Sequence, residues 1–230
     1  IEVFAADVAH EIKNPLTSLR SAVETVARVE DPEQQKRLMS IILDDVQRLD
    51  RLISDISDAS RLDAELSRAE IDPVDIGELL RALVAVQEAG ERADAPRFRL
   101  DVLDHQDLSV PGIEGRLGQV FRNLISNAVT FSPPGGTVRL SAQRQGDDVV
   151  IAISDEGPGI PEGKLDAVFQ RFYTERPAGE KFGTHSGLGL SISKQIVDAH
   201  GGSIRAENRH DENGQVCGAC FIVRLPAESE

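Results

Sequence analysis

The sequence predicts two domains of different class: an all-α helical hairpin first, then an α/β sandwich in which one sheet is covered by helices on one face. Three observations point there. Up to about residue 64 the apolar residues recur at steps of three and four. Beyond it, short strand-like runs alternate with medium helical ones. The turns in that second part are rich in Gly and Pro.

Phe4, Val8, Ile12, Leu16, Leu19, Val23 and Val26 make one continuous stripe on a long helix. The stripe stops at Val29, and Asp31-Pro32-Glu33 supplies an N-cap followed by proline at the first helical position. A second stripe runs through Leu38, Ile42, Val46, Leu49, Ile53, Ile56 and Leu62. Two long amphipathic helices joined by a few residues form an antiparallel hairpin. A lone hairpin has too little partner surface for both stripes, so the expected form is a homodimer whose two hairpins build a four-helix bundle.

In the second part Asp75 can cap a helix running through Leu79, Leu80, Leu83, Val84 and Val86. Residues 98–103 and 107–110 read as strands, and 114–131 as a helix ended by Ser132-Pro133-Pro134-Gly135-Gly136. Residues 137–143 and 149–154 form a hairpin with Gly146-Asp147 in the turn. Helices recur near 164–169 and 187–200, and 203–207 and 219–225 are two closing strands.

Composition narrows the function. The chain has 230 residues, with 25 Lys+Arg against 39 Asp+Glu, a formal charge of −14. So acidic a chain repels phosphate backbones and anionic lipid, which argues against nucleic-acid or membrane-surface binding through bulk charge. Two cysteines cannot build a disulfide framework, which fits a reducing compartment. Cys217 and Cys220 fall on opposite faces of a strand and read as plain strand residues. No apolar run reaches the about 18 residues of a membrane span, and no basic-then-apolar leader is present. The chain opens at Ile1 inside a helical pattern and is expected to belong to something longer.

Four clusters could carry chemistry. In Ala9-His10-Glu11-Ile12-Lys13-Asn14-Pro15, His10 lies almost opposite the stripe residues Val8 and Ile12 and so faces water, with Asn14 one turn on. An exposed imidazole beside a carboxylate can serve as a nucleophile, the carboxylate holding the ring and taking its proton. Pro15 is expected to kink the helix near His10. Asn123-Leu124-Ile125-Ser126-Asn127 puts two amides on one helix face, neutral oxygens that suit Mg²⁺. Asp155-Glu156-Gly157-Pro158-Gly159-Ile160 follows a strand directly, so its carboxylate can accept from an exocyclic amine while the glycines let backbone approach. Gly183-Thr184-His185-Ser186-Gly187-Leu188-Gly189-Leu190 opens a helix, whose free N–H groups and dipole suit a polyphosphate. A solvated histidine, two solvated asparagines and a plain Gly-Pro-Gly loop remain open for the first three clusters taken singly, and the fourth is neither a Walker sequence nor a strand-led GxGxxG.

Their order along the chain resembles the bacterial sensor histidine kinases of two-component systems. His10-Glu11-Ile12-Lys13-Asn14-Pro15-Leu16 is similar to the H box and Asn123 to Asn127 to the N box. Asp155 to Gly159 is similar to the first glycine box, Phe169-Gln170-Arg171-Phe172-Tyr173 to the F box, and Gly187-Leu188-Gly189-Leu190 to the second glycine box. The wording around His10 and along residues 49–63 is most similar to the alphaproteobacterial ChvG/ExoS/BvrS type.

The resemblance implies a dimerisation and phosphotransfer domain over 1–66 and a Bergerat-type (GHKL) ATP-binding domain over 67–230. It implies ATP-dependent autophosphorylation on His10, with Glu11 as base or orienter, and transfer to an aspartate of a response-regulator receiver. Asn14 would position water when the same protein dephosphorylates that regulator. Asn127 would ligate Mg²⁺ with Asn123 beside it, and Asp155 would select the adenine of ATP (or ADP). Gly157, Gly159, Ile160, Phe172, Tyr173, Ser186, Gly187, Leu188 and Gly189 would line the nucleotide site and its flap, and Arg171 could offset phosphate charge. The fragment would be cytoplasmic, with the full-length protein anchored in the inner membrane by a sensor region upstream. Two positions depart from the pattern: Thr130 stands where a basic residue is common, and Gln170 where glutamate is usual. An ATPase of the same nucleotide fold and a non-catalytic dimeric scaffold are the competing readings.

Overall fold

A computed structural model describes residues 2–66, 71–90, 95–103, 106–173 and 187–228, with backbone alone for 2–7, 59 and 63–66. Two compact units divide the chain: Ile1–Asp63 with Arg171–Gly189, and Ala64–Gln170 with Leu190–Glu230.

The first unit holds α1 (Glu2–Val26) and α2 (Pro32–Leu66). Asp31 accepts the Glu33 N–H at 3.1 Å, so α2 starts where the cap and proline place it. Helix α1 runs on through Pro15, which is buried. Arg48 of α2 bonds Glu11 of α1 across 37 residues. Because the two stand nearly equidistant from the turn between the helices, that bond also shows the antiparallel register.

A lone hairpin cannot cover both apolar stripes, and parts of each stay open: Leu16 is 50% and Val23 53% exposed, and on α2 Val46 is 42% and Ile53 56% exposed. Among the described side chains of the two helices, those buried are Pro15, Ala22, Leu52 and Leu62, with Asp45 and Arg48 among them. Each helix therefore has two apolar faces, and only one is covered by its own chain.

The second unit is a sheet with helices against it. The five-stranded sheet has the order β2-β4-β5-β7-β6: β2 (Arg97–Val102), β4 (Thr137–Gln145), β5 (Asp148–Ser154), β6 (Ser203–His210) and β7 (Val216–Pro226). Only β2 and β4 run parallel. Alternate residues are buried along β4, β5 and β7, among them Leu140, Ile151, Ile153, Phe221 and Val223. Against that sheet pack α3 (Ile76–Ala89) and α4 (Glu114–Phe131), burying Leu80, Leu117, Phe121, Leu124 and Ile125; α5 (Gly189–Ala199) buries Ile192, Ile196 and Val197.

Local signals place most ends. Asp75 accepts the Glu78 N–H at 3.0 Å and caps α3. Ile113 at the start of α4 has no side-chain oxygen, and its N–H instead donates to Nε2 of His200 at 3.1 Å. Nδ1 of His200 lies 2.7 Å from the Ile196 carbonyl, so the ring bridges the end of α5 to the start of α4.

Several expectations are corrected. A short strand β1 (Asp72–Asp75), absent from the expected elements, pairs with β3 (Ser109–Gly112), and its Pro73 sits in a two-stranded ladder. Strand β3 starts later than residue 107, because the Asp107 carboxylate takes the Ser109 N–H at 3.0 Å and closes a turn. The helix expected near 164–169 is a single 3-10 turn, Ala167–Phe169, whose one fully buried side chain is Val168. The helix expected over 187–200 is α5, starting at Gly189 and ending at Ala199. Among the described residues no helix is long and apolar enough to cross a membrane.

Candidate functional site

The hairpin presents His10 to solvent, on the side of α1 away from Val8 and Ile12, and Asn14 is exposed as well. Glu11 is turned inward, its side chain 24% exposed, and its Oε2 accepts from Nη2 of Arg48 at 3.0 Å. Arg48 is 7% exposed, and Asp45, one turn earlier on the same face, is also buried. Sequence reading missed Arg48: its partner lies 37 residues away, and no local pattern announces the pair. Removing a cation from a half-buried pair costs more than at the surface and less than in a dry core. Arg48→Ala is therefore expected to lower hairpin stability by about 1–2 kcal/mol. Urea unfolding followed by circular dichroism measures this; an unshifted midpoint would show the pair to be without weight.

The same unit contains Arg171–Gly189. The Phe172 N–H donates to the Gly187 carbonyl at 2.8 Å, which joins the two ends of the segment between them. Phe172 has φ 61, a left-handed conformation that costs a non-glycine residue about 1–3 kcal/mol. Tyr173 is half-buried and Leu188 buried, and α5 opens at Gly189. Ser186, with Gly183 to His185, lies outside the described residues.

In the other unit the loop after β5 holds a buried carboxylate. Asp155 is 3% exposed. Its Oδ1 accepts the N–H of Gly157 at 2.8 Å and of Ala219 at 3.0 Å, while no described residue donates to Oδ2. Burial pushes this carboxyl above the usual aspartate range, against the pull of those two N–H groups and of the Arg209 guanidinium. A fixed, dehydrated carboxylate with one open oxygen fits a neutral hydrogen-bond donor such as an exocyclic amine. Gly157, Gly159 and Ile160 complete the loop, and Ile160 is tied by both its N–H and its carbonyl to the side chain of Asn208 at 2.7 Å. Asn208 and Arg209 were also missed, since an amide and a cation near a strand end read as ordinary edge residues.

On α4, Asn123 and Asn127 are both half-buried on one face. Asn123 Nδ2 donates to Ser193 Oγ of α5 at 3.3 Å, and no described residue hydrogen-bonds Asn127. Among the described residues no three His, Cys, Asp or Glu side chains gather around a metal position. Amide oxygens are neutral hard ligands, and among the described residues nothing occupies that of Asn127, which could face a divalent ion. Thr130 is half-buried on α4 and Gln170 exposed. Cys217 and Cys220 are free, half-buried thiols of β7, and burial and then Glu207 push the Cys220 thiol up. His10 and Asp155 belong to different units.

Comparison with known proteins places these features. Residues 2–65 match the His Kinase A (phospho-acceptor) domain, and residues 112–229 match the histidine kinase-, DNA gyrase B- and HSP90-like ATPases. The chain belongs to the sensor histidine kinases. Over 99% of its length this kinase chain is 51% identical to Sensor protein ChvG of Rhizobium meliloti and 49% identical to Sensor protein ChvG of Agrobacterium fabrum, as the wording around His10 implied. It spans 40% and 39% of those two proteins. Among solved structures, histidine kinase ThkA in complex with response regulator protein TrrA is similar with a TM-score of 0.75 and 29% identity, over 98% of this chain and 61% of that one. The expected fold class, a phospho-acceptor hairpin followed by an ATP-binding α/β domain, is the one found.

Proposed function

We propose that the chain is the catalytic core of a two-component sensor kinase. It would phosphorylate itself on His10 with ATP and pass the phosphoryl group to an aspartate of a response-regulator receiver. Residues 1–66 form the phosphotransfer domain and 67–230 the ATP-binding domain in this reading, which the family matches over 2–65 and 112–229 support.

The observation that carries it is the exposure of His10 on a phospho-acceptor helix, beside a Glu11 held inward. A ring nitrogen of His10 attacks the γ-phosphorus of ATP, an N–P bond forms, the bond to the β-phosphate oxygen breaks and ADP leaves. The ring proton passes to Glu11, which must first turn from Arg48. In-line transfer of this kind needs positioning and charge neutralisation more than covalent help. Mg²⁺, when bound, neutralises phosphate charge; Asn127 would hold it, with Asn123 steadying that face of α4 through Ser193. Asp155 would accept the adenine amine through Oδ2, a discrimination against guanine, which offers a carbonyl there. Asn14, exposed one turn from His10, would position water for dephosphorylation of the regulator. Phe172, Tyr173, Ser186, Gly187, Leu188 and Gly189 would cover the nucleotide. The chain is cytoplasmic in this reading, and membrane anchoring belongs to a sensor region outside it.

Dimerisation belongs to the same proposal. Leu16 and Val23 on α1, and Met39, Leu43, Val46 and Ile53 on α2, are exposed, the last four at steps of four, three and seven. That spacing makes a seam for a second hairpin. Leu43→Asp combined with Ile53→Asp is expected to convert a dimer to a monomer in sedimentation equilibrium; a dimer that survives both changes would exclude this seam.

One assay tests the whole reading: incubation with γ-labelled ATP and Mg²⁺, followed by acid and alkali. Acid-labile, alkali-stable label on the protein is the expected result. Released phosphate without label would make it an ATPase, and neither outcome would leave a scaffold.

A further inference from the structure

The end of β6 grips the loop after β5 at both of its ends. Asn208 accepts the Ile160 N–H at Oδ1 and donates Nδ2 to the Ile160 carbonyl, each at 2.7 Å, as a neighbouring strand would. The next residue, Arg209, donates from Nη1 to the main-chain carbonyl of Asp155 at 2.6 Å. In a regular strand two consecutive side chains point to opposite faces. Here the register of β6 with β7 shifts just past the pair, between Arg209 and His210, where β7 carries one extra residue, Cys217.

The surroundings leave the loop little other choice. Gly159 has φ 76, and a Cβ there would strike Val216 and lie 2.9 Å from Asn208 Oδ1. On β7, Gly218 has φ 148, and any Cβ would run into the Asp155 carbonyl that Arg209 holds. Ala219, the next residue, supplies one of the two N–H groups on Asp155 Oδ1. Both clamp residues act on main chain, and neither donates to Asp155 Oδ2.

We propose that Asn208 and Arg209 are positioning residues for base recognition: by fixing Ile160 and the Asp155 carbonyl they keep Asp155 Oδ2 aimed at the ligand. This rests on the reading of Asp155 as the adenine-recognising carboxylate. A loop ordered before binding loses less freedom on binding, so the clamp acts on affinity and selectivity rather than on phosphoryl transfer.

Calorimetric titration of the 230-residue chain with ADP and with GDP tests it. Asn208→Ala is expected to weaken ADP about tenfold, the worth of two lost neutral hydrogen bonds, with GDP little changed, so that the ADP preference narrows. Asn208→Asp keeps the acceptor and loses the donor, and should fall between; Arg209→Ala should narrow the same preference. Thermal melting of each variant checks folding, and Asn208→Asp and Arg209→Ala carry the test if Asn208→Ala does not fold. Unchanged ADP affinity in folded variants, or equal weakening of ADP and GDP, would overturn the proposal. If Asp155→Asn loses ADP while the clamp variants keep it, the clamp alone is refuted. If Asp155→Asn binds ADP like the parent, the adenine reading falls and the clamp with it.

Discussion

Replacing His10 with glutamine is expected to abolish phosphoryl labelling of the chain, down to background, while ADP affinity stays within about twofold. The separation follows from the structure: His10 is on the exposed side of α1, and Asp155 belongs to the other compact unit. Glutamine keeps a polar side chain on a solvated face, so the hairpin has no reason to unfold. Labelling that persists in this variant would move the acceptor to another residue, and the remaining histidines would have to be tested in turn. Loss of ADP binding together with label would instead mean a damaged fold.

Asp155→Asn is expected to weaken ADP binding about 30-fold to 100-fold, the range for losing a hydrogen bond to a charged acceptor and setting donor against donor. An amide that keeps its oxygen on the N–H groups of Gly157 and Ala219 must turn its NH₂ toward the ligand, where the carboxylate offered Oδ2. Protonation of the carboxyl has a related effect. Because burial raises the Asp155 pKa, ADP affinity of the parent should begin to fall, as pH is lowered, above the range where a free aspartate titrates. Stability moves in the opposite sense. The folded state keeps this proton over a window in which the unfolded state has lost it, so parental stability relative to the asparagine variant declines as pH rises through that window and is flat above it. Paired denaturation curves across that range, with ADP titrations beside them, measure both slopes. A stability difference independent of pH would show that Asp155 is not desolvated.

The two units differ in how far sequence could read them. In the α/β unit the local signals were sufficient for most elements: Asp75 caps α3, α4 spans 114–131 as its apolar period requires, and Gly146-Asp147 turns β4 into β5. Asp155 was legible as a candidate because it follows directly on a buried strand. In the hairpin, periodicity located both helices but not which apolar residues each would bury. Leu16 belongs to the expected stripe and Ala22 does not, yet tertiary packing covers Ala22 and leaves Leu16 open. The unexpected pairing of β1 with β3 has the same origin, since a ladder is a property of two segments, and each of these carries a proline, Pro73 in one and Pro111 in the other.

By itself the sequence determined most of the elements, the caps at Asp31 and Asp75, the order of the five motifs and the exposed position of His10, because each depends on periodicity or spacing within a few turns of chain. Tertiary structure alone decided what holds the chemistry in place: Arg48 on Glu11 across 37 residues, Asn208 on Ile160 across 48, and Ala219 on Asp155 across 64. Burial of a carboxylate and closure of a hydrogen bond depend on groups far apart in the chain, and one-dimensional spacing does not encode their distance.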